Sequence, residues 1–208
     1  MKTLKFTLLI FVTFTLTIYS QTGSYTFSSS SGTFSAITGG TVLGTTANDD
    51  HVFNNNTTGE APPQSDIGFP IGFSFNYNGT FYDRFAVNNN GWILLGSGTF
   101  TIGGTYTPIS NIASSGFANI ISALGRDLQA QTGSELSYKL TGSSPNQTLV
   151  IQWINYKRYN IASGESFNFQ IRLNESNNSV EFVYGVVTTT NTSTSTQNNP
   201  TQLGLRGL

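Results

Sequence analysis

The chain reads as an all-β protein: a single domain built as an antiparallel β-sandwich of jelly-roll-like kind. Apolar residues recur at every second position, as in Ile71, Phe73, Phe75 and Tyr77, or Phe167, Phe169, Ile171 and Leu173, and that period belongs to strands with one dry face. The runs are punctuated by clusters such as NNNG (88–91) and SSPNQ (143–147), whose residues supply the backbone conformations of tight turns. No strand-helix-strand rhythm appears, which excludes a parallel sheet.

Taken in order, the chain opens MKTLKFTLLIFVTFTLTIYSQ, with Lys2 and Lys5 ahead of an uncharged run from Phe6 to Tyr19 and a small residue, Ser20. That is the order of a secretory signal peptide. The run of 14 residues is shorter than the roughly 20 that span a bilayer as a helix. Residues 1–20 are therefore expected to be a cleaved export signal, leaving no membrane span, and residues 21–208 to form the sandwich domain. The 188 residues that remain suffice for one sizeable core.

SYTFSSSSGTFSAITGGTVLG (24–44) mixes β-branched and aromatic residues with Ser and Gly clusters and predicts two or three short strands. TTANDDHVFNNNTTGEAPPQSD (45–66) has no sustained period and two prolines; it predicts a long loop, the kind of place where function often sits. From Ile71 to Tyr77 a strand follows, with Gly72, Ser74 and Asn76 outward, and Asn78-Gly79 supplies both positive-φ positions of a hairpin turn. The returning run places Phe81, Phe85 and Val87 inward and Tyr82, Arg84 and Ala86 outward, with Asp83 interrupting the inward row. After the NNNG turn, residues 92–95 (WILL) predict a short strand buried on both faces. In FANIISALGRDL (117–128), Ile120, Ile121, Ala123 and Leu124 fit either period, and the segment is read as strand-like.

The last third predicts an antiparallel meander of four strands, carried by Tyr138 and Leu140, by Leu149, Ile151 and Trp153, by Phe167 to Leu173, and by Val180, Phe182 and Tyr184. Trp92 and Trp153 fall on core positions. TTTNTSTSTQNNPTQ (188–202) is polar and of low complexity, too poor in apolar groups to order itself. The strand-like LGLRGL that follows ends abruptly, and the chain is expected to be a piece of a longer protein.

Composition narrows the function classes. Charged residues are 9% of the chain, against an average of about 25%, while there are 29 Thr, 24 Ser and 21 Asn. Such a protein wets its surface with hydroxyls and amides, a trade that suits export. Without Lys2 and Lys5 the chain carries 7 basic and 10 acidic residues, so nothing draws it to nucleic acid. The absence of cysteine excludes disulfides, a thiolate nucleophile and Cys-based metal sites.

Four constellations bear on chemistry. His51, the single histidine, lies beside Asp49 and Asp50, but the chain has no G-x-S-x-G elbow to present a nucleophile, so a solvated loop histidine is expected. Glycosidases need two carboxylates flanking a sugar; here Glu175 and Glu181 flank the SNN turn, a convex, wet place unsuited to raising an acid's pKa. Asn48, Asp49 and Asp50, with Asp66 at the far end of their loop, offer the several oxygens calcium prefers; Asp127 is a weaker donor. Calcium is thus an optional ligand, and no cofactor is required. Finally, Tyr156 and Tyr159, with Tyr82 and Tyr106, read as outward or loop aromatics able to act as sugar platforms beside polar donors.

The segments YTFSSSSGTFSAITGGTVLG, IGFSFNYNGTFYDRFAVNNNGWILLGSG, IISALGRDL, SYKLTGSSPNQTLVIQWINYKRY, FNFQIRLNESNNSVEFVYG and QLGLRGL together resemble a repeat-like β-sandwich module of exported Bacteroidetes proteins. That module often precedes fibronectin type III domains and a type IX secretion signal. The pairing of NNNGWILLG with IISALGRDL is also loosely similar to the nidogen-type extracellular domain. The resemblance spans most of residues 24–208 and implies architecture and location, with no catalytic residues to carry over. Where relatives tend to place an aromatic and an acidic residue before the Asp-Leu pair, this chain has Gly125 and Arg126, which argues against a shared acidic site at Asp127. The expectation is a secreted or cell-surface, non-catalytic module for adhesion or recognition of glycans or surface proteins. The rival readings are an extracellular polysaccharide hydrolase and a purely structural spacer.

Overall fold

A computed structural model describes residues 25–45, 51–55, 67–98, 100, 105–110, 118–161, 164–190 and 200–207. The expected signal peptide, residues 1–20, lies outside them, as does most of the polar segment 188–202. Among the described residues twelve strands are formed: β1 (Thr41–Gly44), β2 (Val52–Phe53), β3 (Phe69–Tyr77), β4 (Thr80–Asn88), β5 (Trp92–Gly96), β6 (Ile120–Gly125), β7 (Leu128–Gln129), β8 (Glu135–Thr141), β9 (Thr148–Arg158), β10 (Phe167–Asn174), β11 (Val180–Tyr184) and β12 (Gln202–Arg206). Among the described residues no helix is long and apolar enough to cross a membrane.

The strands make two antiparallel sheets. The first has the order β1-β8-β9-β10-β11, with β7 beside the end of β9; the second has the order β12-β6-β5-β4-β2, with β3 also on β4. Most neighbours are consecutive hairpins, as the turn chemistry dictates, and the predicted meander is β8 to β11. Two returns are long-range: β1 docks on β8 and β12 on β6. Within FANIISALGRDL, residues 120–125 are strand β6, paired to β5 through Ile93 and Ile121.

Between the sheets lies the main core, where Phe75, Phe85, Ile93 and Ile121 of the second sheet meet Leu149, Ile151, Trp153 and Phe169 of the first. Trp153 and Phe169 stack at 4.8 Å between ring centroids and 12° between planes. A smaller cluster of Val52, Ala86, Trp92, Leu94, Phe100 and Ile120 covers the outer face of the second sheet. Strand β5 therefore is buried on both faces, Ile93 and Leu95 in one cluster and Trp92 and Leu94 in the other.

Three expectations are corrected. Segment 24–44 forms one described strand, β1, and residues 34–38 instead run across the outer face of the first sheet. Ile37 N donates to Gln152 Oε1 at 2.8 Å, and Gln170 Nε2 donates to the Ser35 carbonyl at 2.8 Å, so two side-chain amides replace a strand ladder. The long loop 45–66 contains the two-residue strand β2, which pairs with the end of β4. Third, Tyr82 and Tyr156 face inward, buried to 8% and 2% exposure, while Phe81 is 61% exposed.

Both inversions come from irregular pairing, which changes which residues face the core. In β9 the partners run from Trp153↔Phe169 to Tyr156↔Phe167, so three steps on β9 oppose two on β10. The extra residue falls at Asn155, held at φ 55°. Its N–H is met by Asn168 Oδ1 at 3.0 Å and its carbonyl by Ser134 Oγ at 2.6 Å, side chains standing in for the ladder. Between Pro70↔Arg84 and Phe75↔Tyr82, five steps on β3 oppose two on β4, and Gly72 takes φ 98° within that stretch.

Candidate functional site

The NNNG turn (88–91) builds one corner of the molecule. Asn88, Asn89 and Asn90 are buried to 0%, 1% and 0% exposure, unusual for asparagine, and their polar groups are used as struts. Gly91 O accepts from Ala123 N and Leu124 N at 3.1 and 3.2 Å, Asn90 O from Arg126 N at 3.3 Å, and Asn90 Oδ1 from Leu128 N at 2.7 Å. The turn between β4 and β5 thereby fixes the β6–β7 corner and the backbone that carries Arg126.

Arg158 ends β9, where Leu128 of β7 is its strand partner. Its Nε donates to Glu165 Oε1 and Oε2 at 2.9 and 3.0 Å, its Nη2 also reaches Oε1, and Nη2 donates to the Thr190 carbonyl at 3.2 Å. The Glu165 side chain is fully buried and that of Arg158 is 17% exposed. Burial pushes the Glu165 carboxyl upward, yet the Arg158 hydrogen bonds and charge outweigh it and hold the carboxyl below its ordinary value. The strip after β11 is pinned alongside by the paired Ser166 and Thr188.

Arg126 and Arg158 line a cleft of about 370 Å³ at this end of the sandwich, together with Thr189, Thr190 and Thr201 and with Leu124 and Phe167; the Thr190 hydroxyl is itself bonded to Glu165 Oε1 at 3.3 Å. Arg126 Nη1 donates to Thr201 Oγ1 at 3.5 Å, a long hydrogen bond. Burial, and then repulsion by Arg158, lower the Arg126 pKa, although a guanidinium stays charged in any case. Among the described residues no carboxylate lines the cleft; Glu165 sits behind Arg158, and its charge and that of Asp127 also attract the Arg126 guanidinium. The arrangement brings two guanidiniums and three threonines to one cleft, a polar wall of the kind that suits an oxygen-rich ligand.

The four tyrosines do not form the platform expected of them. Tyr82 and Tyr156 belong to the core, and burial raises the Tyr156 phenol far above its ordinary pKa. Tyr106 and Tyr159 are half-buried on different loops, and the Tyr159 N–H donates to the Asp127 carbonyl at 3.0 Å. Asn48, Asp49, Asp50 and Asp66, the calcium candidates, lie outside the described residues. Among the described residues no three His, Cys, Asp or Glu side chains group to hold a metal. His51 is buried rather than solvated, its ring 4.5 Å from that of Phe53, and burial lowers its pKa. Glu175 accepts from Ser144 Oγ and Gln147 N, and Glu181 lies 3.9 Å from Arg172, so both acids of the SNN turn serve the hairpin.

Arg126 and Arg158 escaped sequence reasoning because no motif links residues so far apart in the chain. The available signal was scarcity: with nine Lys and Arg in all, two on one cleft wall is a concentration of charge.

Compared with known protein families, residues 24–208 match the family described as NIDO related. No curated protein and no solved structure matches. The matched span takes in the twelve strands of the described residues and the residues named on the cleft, and the chain belongs to the NIDO-related family.

Proposed function

We propose that the protein is a non-catalytic extracellular recognition module, which adheres to glycans outside the cell through the cleft at Arg126 and Arg158. Membership of the nidogen-related family fits an extracellular setting, as do the export-type leader and the hydroxyl-rich, charge-poor composition. The same features fit a surface module of the Bacteroidetes kind that the sequence resembles. The observation that carries the reading is the wall of the cleft: two guanidiniums and three threonines, without a carboxylate among the described residues. Arginine forks and hydroxyls recognise oxygen-rich ligands, whereas glycoside hydrolysis calls for an acid and a second carboxylate across the sugar. Binding needs no cofactor; calcium, where it binds, belongs to the loop of Asn48, Asp49, Asp50 and Asp66 and not to the cleft.

The test is retention on an array of neutral and acidic oligosaccharides, with calcium and with a chelator, alongside an assay for new reducing ends. Retention in both buffers with no sugar released is expected, and Tyr159→Ala should be retained equally well. Release of reducing ends would make the protein a hydrolase, and no retention of any glycan would end the recognition reading.

A further inference from the structure

We infer that strand β11 is a self-association edge, which pairs antiparallel with β11 of a second copy of this chain about a two-fold axis at Phe182, whatever the cleft binds. The ladder between β11 and β10 runs without a shift from Leu173↔Val180 to Phe169↔Tyr184. Bonds from Asn174 N to Ser179 O and from Gly185 N to Asn168 O close its two ends. Bonded and unbonded pairs alternate along antiparallel strands, so Ser179, Glu181, Val183 and Gly185 turn their backbone groups toward β10. Val180, Phe182 and Tyr184 turn theirs to the open side, where β11 has no strand neighbour and, among the described residues, no hydrogen bond meets those groups.

An open edge is a template for another strand unless it is short, bulged, charged or interrupted by proline. The other edges of the two sheets are guarded in these ways. Strands β1 and β12 each carry a register shift against their neighbours, β3 carries a shift and Pro70, and β2 has two residues. Strand β11 is regular, holds one charged residue, Glu181, and leads into exposed apolar side chains at Tyr184, Val186 and Val187. The edge is also held in place: Tyr184 Oη donates to the Ala123 carbonyl of β6 at 2.5 Å, so little freedom is lost on pairing. Residues 26–33 are exposed and make no hydrogen bond to this edge among the described residues.

What marks a second copy as the occupant is that the edge complements itself. With the axis at Phe182, Val180 meets Tyr184 of the second copy, Phe182 meets Phe182, and Tyr184 meets Val180, so each open backbone group finds its counterpart. The same register sets Glu181 opposite Val183, and both sides gain apolar and aromatic cross-strand pairs. An axis at Glu181 would place two carboxylates face to face, which like charges oppose. An axis at Val183 would call on Val186, whose carbonyl already accepts from Asn168 Nδ2 at 2.8 Å. A dimer of this kind carries two clefts, and two weak sites on one particle hold a repeated ligand better than one.

Sedimentation equilibrium of the chain between about 1 μM and about 1 mM, the range of weak specific contacts, tests this. The wild type is expected to pass from monomer to dimer across that range. Val183→Glu sets a new carboxylate opposite Glu181 of the second copy at two symmetric contacts and should weaken the dimer about tenfold or more. Adding Glu181→Lys to that variant makes both contacts attractive and should restore the dimer. A monomer at every concentration would overturn the inference, a dimer indifferent to Val183→Glu would remove it from β11, and failure of Glu181→Lys to rescue would overturn the axis at Phe182. The chain has no cysteine of its own, so oxidative cross-linking decides the matter if Val183→Glu fails to fold by circular dichroism. An equimolar mixture of Glu181→Cys and Val183→Cys should form a disulfide-linked dimer that neither variant forms alone, since only the mixed pair lies within disulfide reach. No cross-link in the mixture, or equal yields in all three samples, would overturn the pairing.

Discussion

Gly91 shows how narrowly single residues are specified here. It takes φ 83°, and a Cβ at that position would lie 2.5 Å from the Leu124 carbonyl oxygen, part of the backbone of β6. Gly91→Ala is expected to cost about 2–4 kcal/mol, because a rigid clash adds to backbone strain; chemical denaturation measures it. Glu165 supplies a pH dependence. Its folded pKa is lowered, so its pairing with Arg158 stabilises the protein fully above the ordinary glutamate range and loses that contribution as pH falls through the lowered value. The wild type should lose stability on the acid side more steeply than Glu165→Gln, in denaturation curves taken between neutral pH and about pH 3. Residues of this kind were unevenly legible. The Asn-Gly hairpin and the buried tryptophans could be read from local pattern, but the facing of Tyr82 and Tyr156 could not. An extra residue such as Asn155 leaves the alternation of residue types intact on either side while reversing which of them face the core.

Strands are where the sequence was most readable, and their irregularities where it was least. Strand β5 was expected to be buried on both faces because it offers four apolar residues in succession, and two clusters bury it. Segment 24–44 predicts two or three short strands by its composition, yet within it residues 35 and 37 bond to side chains rather than to a neighbouring backbone. Gln152 and Gln170 sit opposite one another on β9 and β10 and bond each other at 2.8 Å as well as the segment above. Replacing both with leucine should free that segment. Hydrogen exchange at the Ile37 amide should rise by an order of magnitude or more, with a loss of about 1–3 kcal/mol in global stability. Unchanged protection at Ile37 would show that the glutamines do not hold it.

For the whole molecule, the fold class was legible because a period of two and turn residues are local signals. The pairings β1–β8 and β12–β6 join segments far apart in sequence, and no local pattern encodes them. The cleft belongs to that second category: its walls come from the β6–β7 corner, the ends of β9 and β10, and Thr189, Thr190 and Thr201. One core shared by both sheets predicts a single cooperative transition. Trp153→Ala, which empties the stack on Phe169, should lower the stability by about 3–5 kcal/mol and shift the fluorescence and circular dichroism transitions together; separate midpoints would mean that the sheets unfold independently. The central claim is that this corner receives a glycan, and amide chemical-shift mapping of the isotope-labelled chain titrated with an oligosaccharide retained on the array tests it most directly. The account predicts shifts concentrated at Arg126, Arg158, Thr189, Thr190 and Thr201. Shifts gathered around Tyr106 or along the outer face of the first sheet, with these residues unmoved, would contradict it.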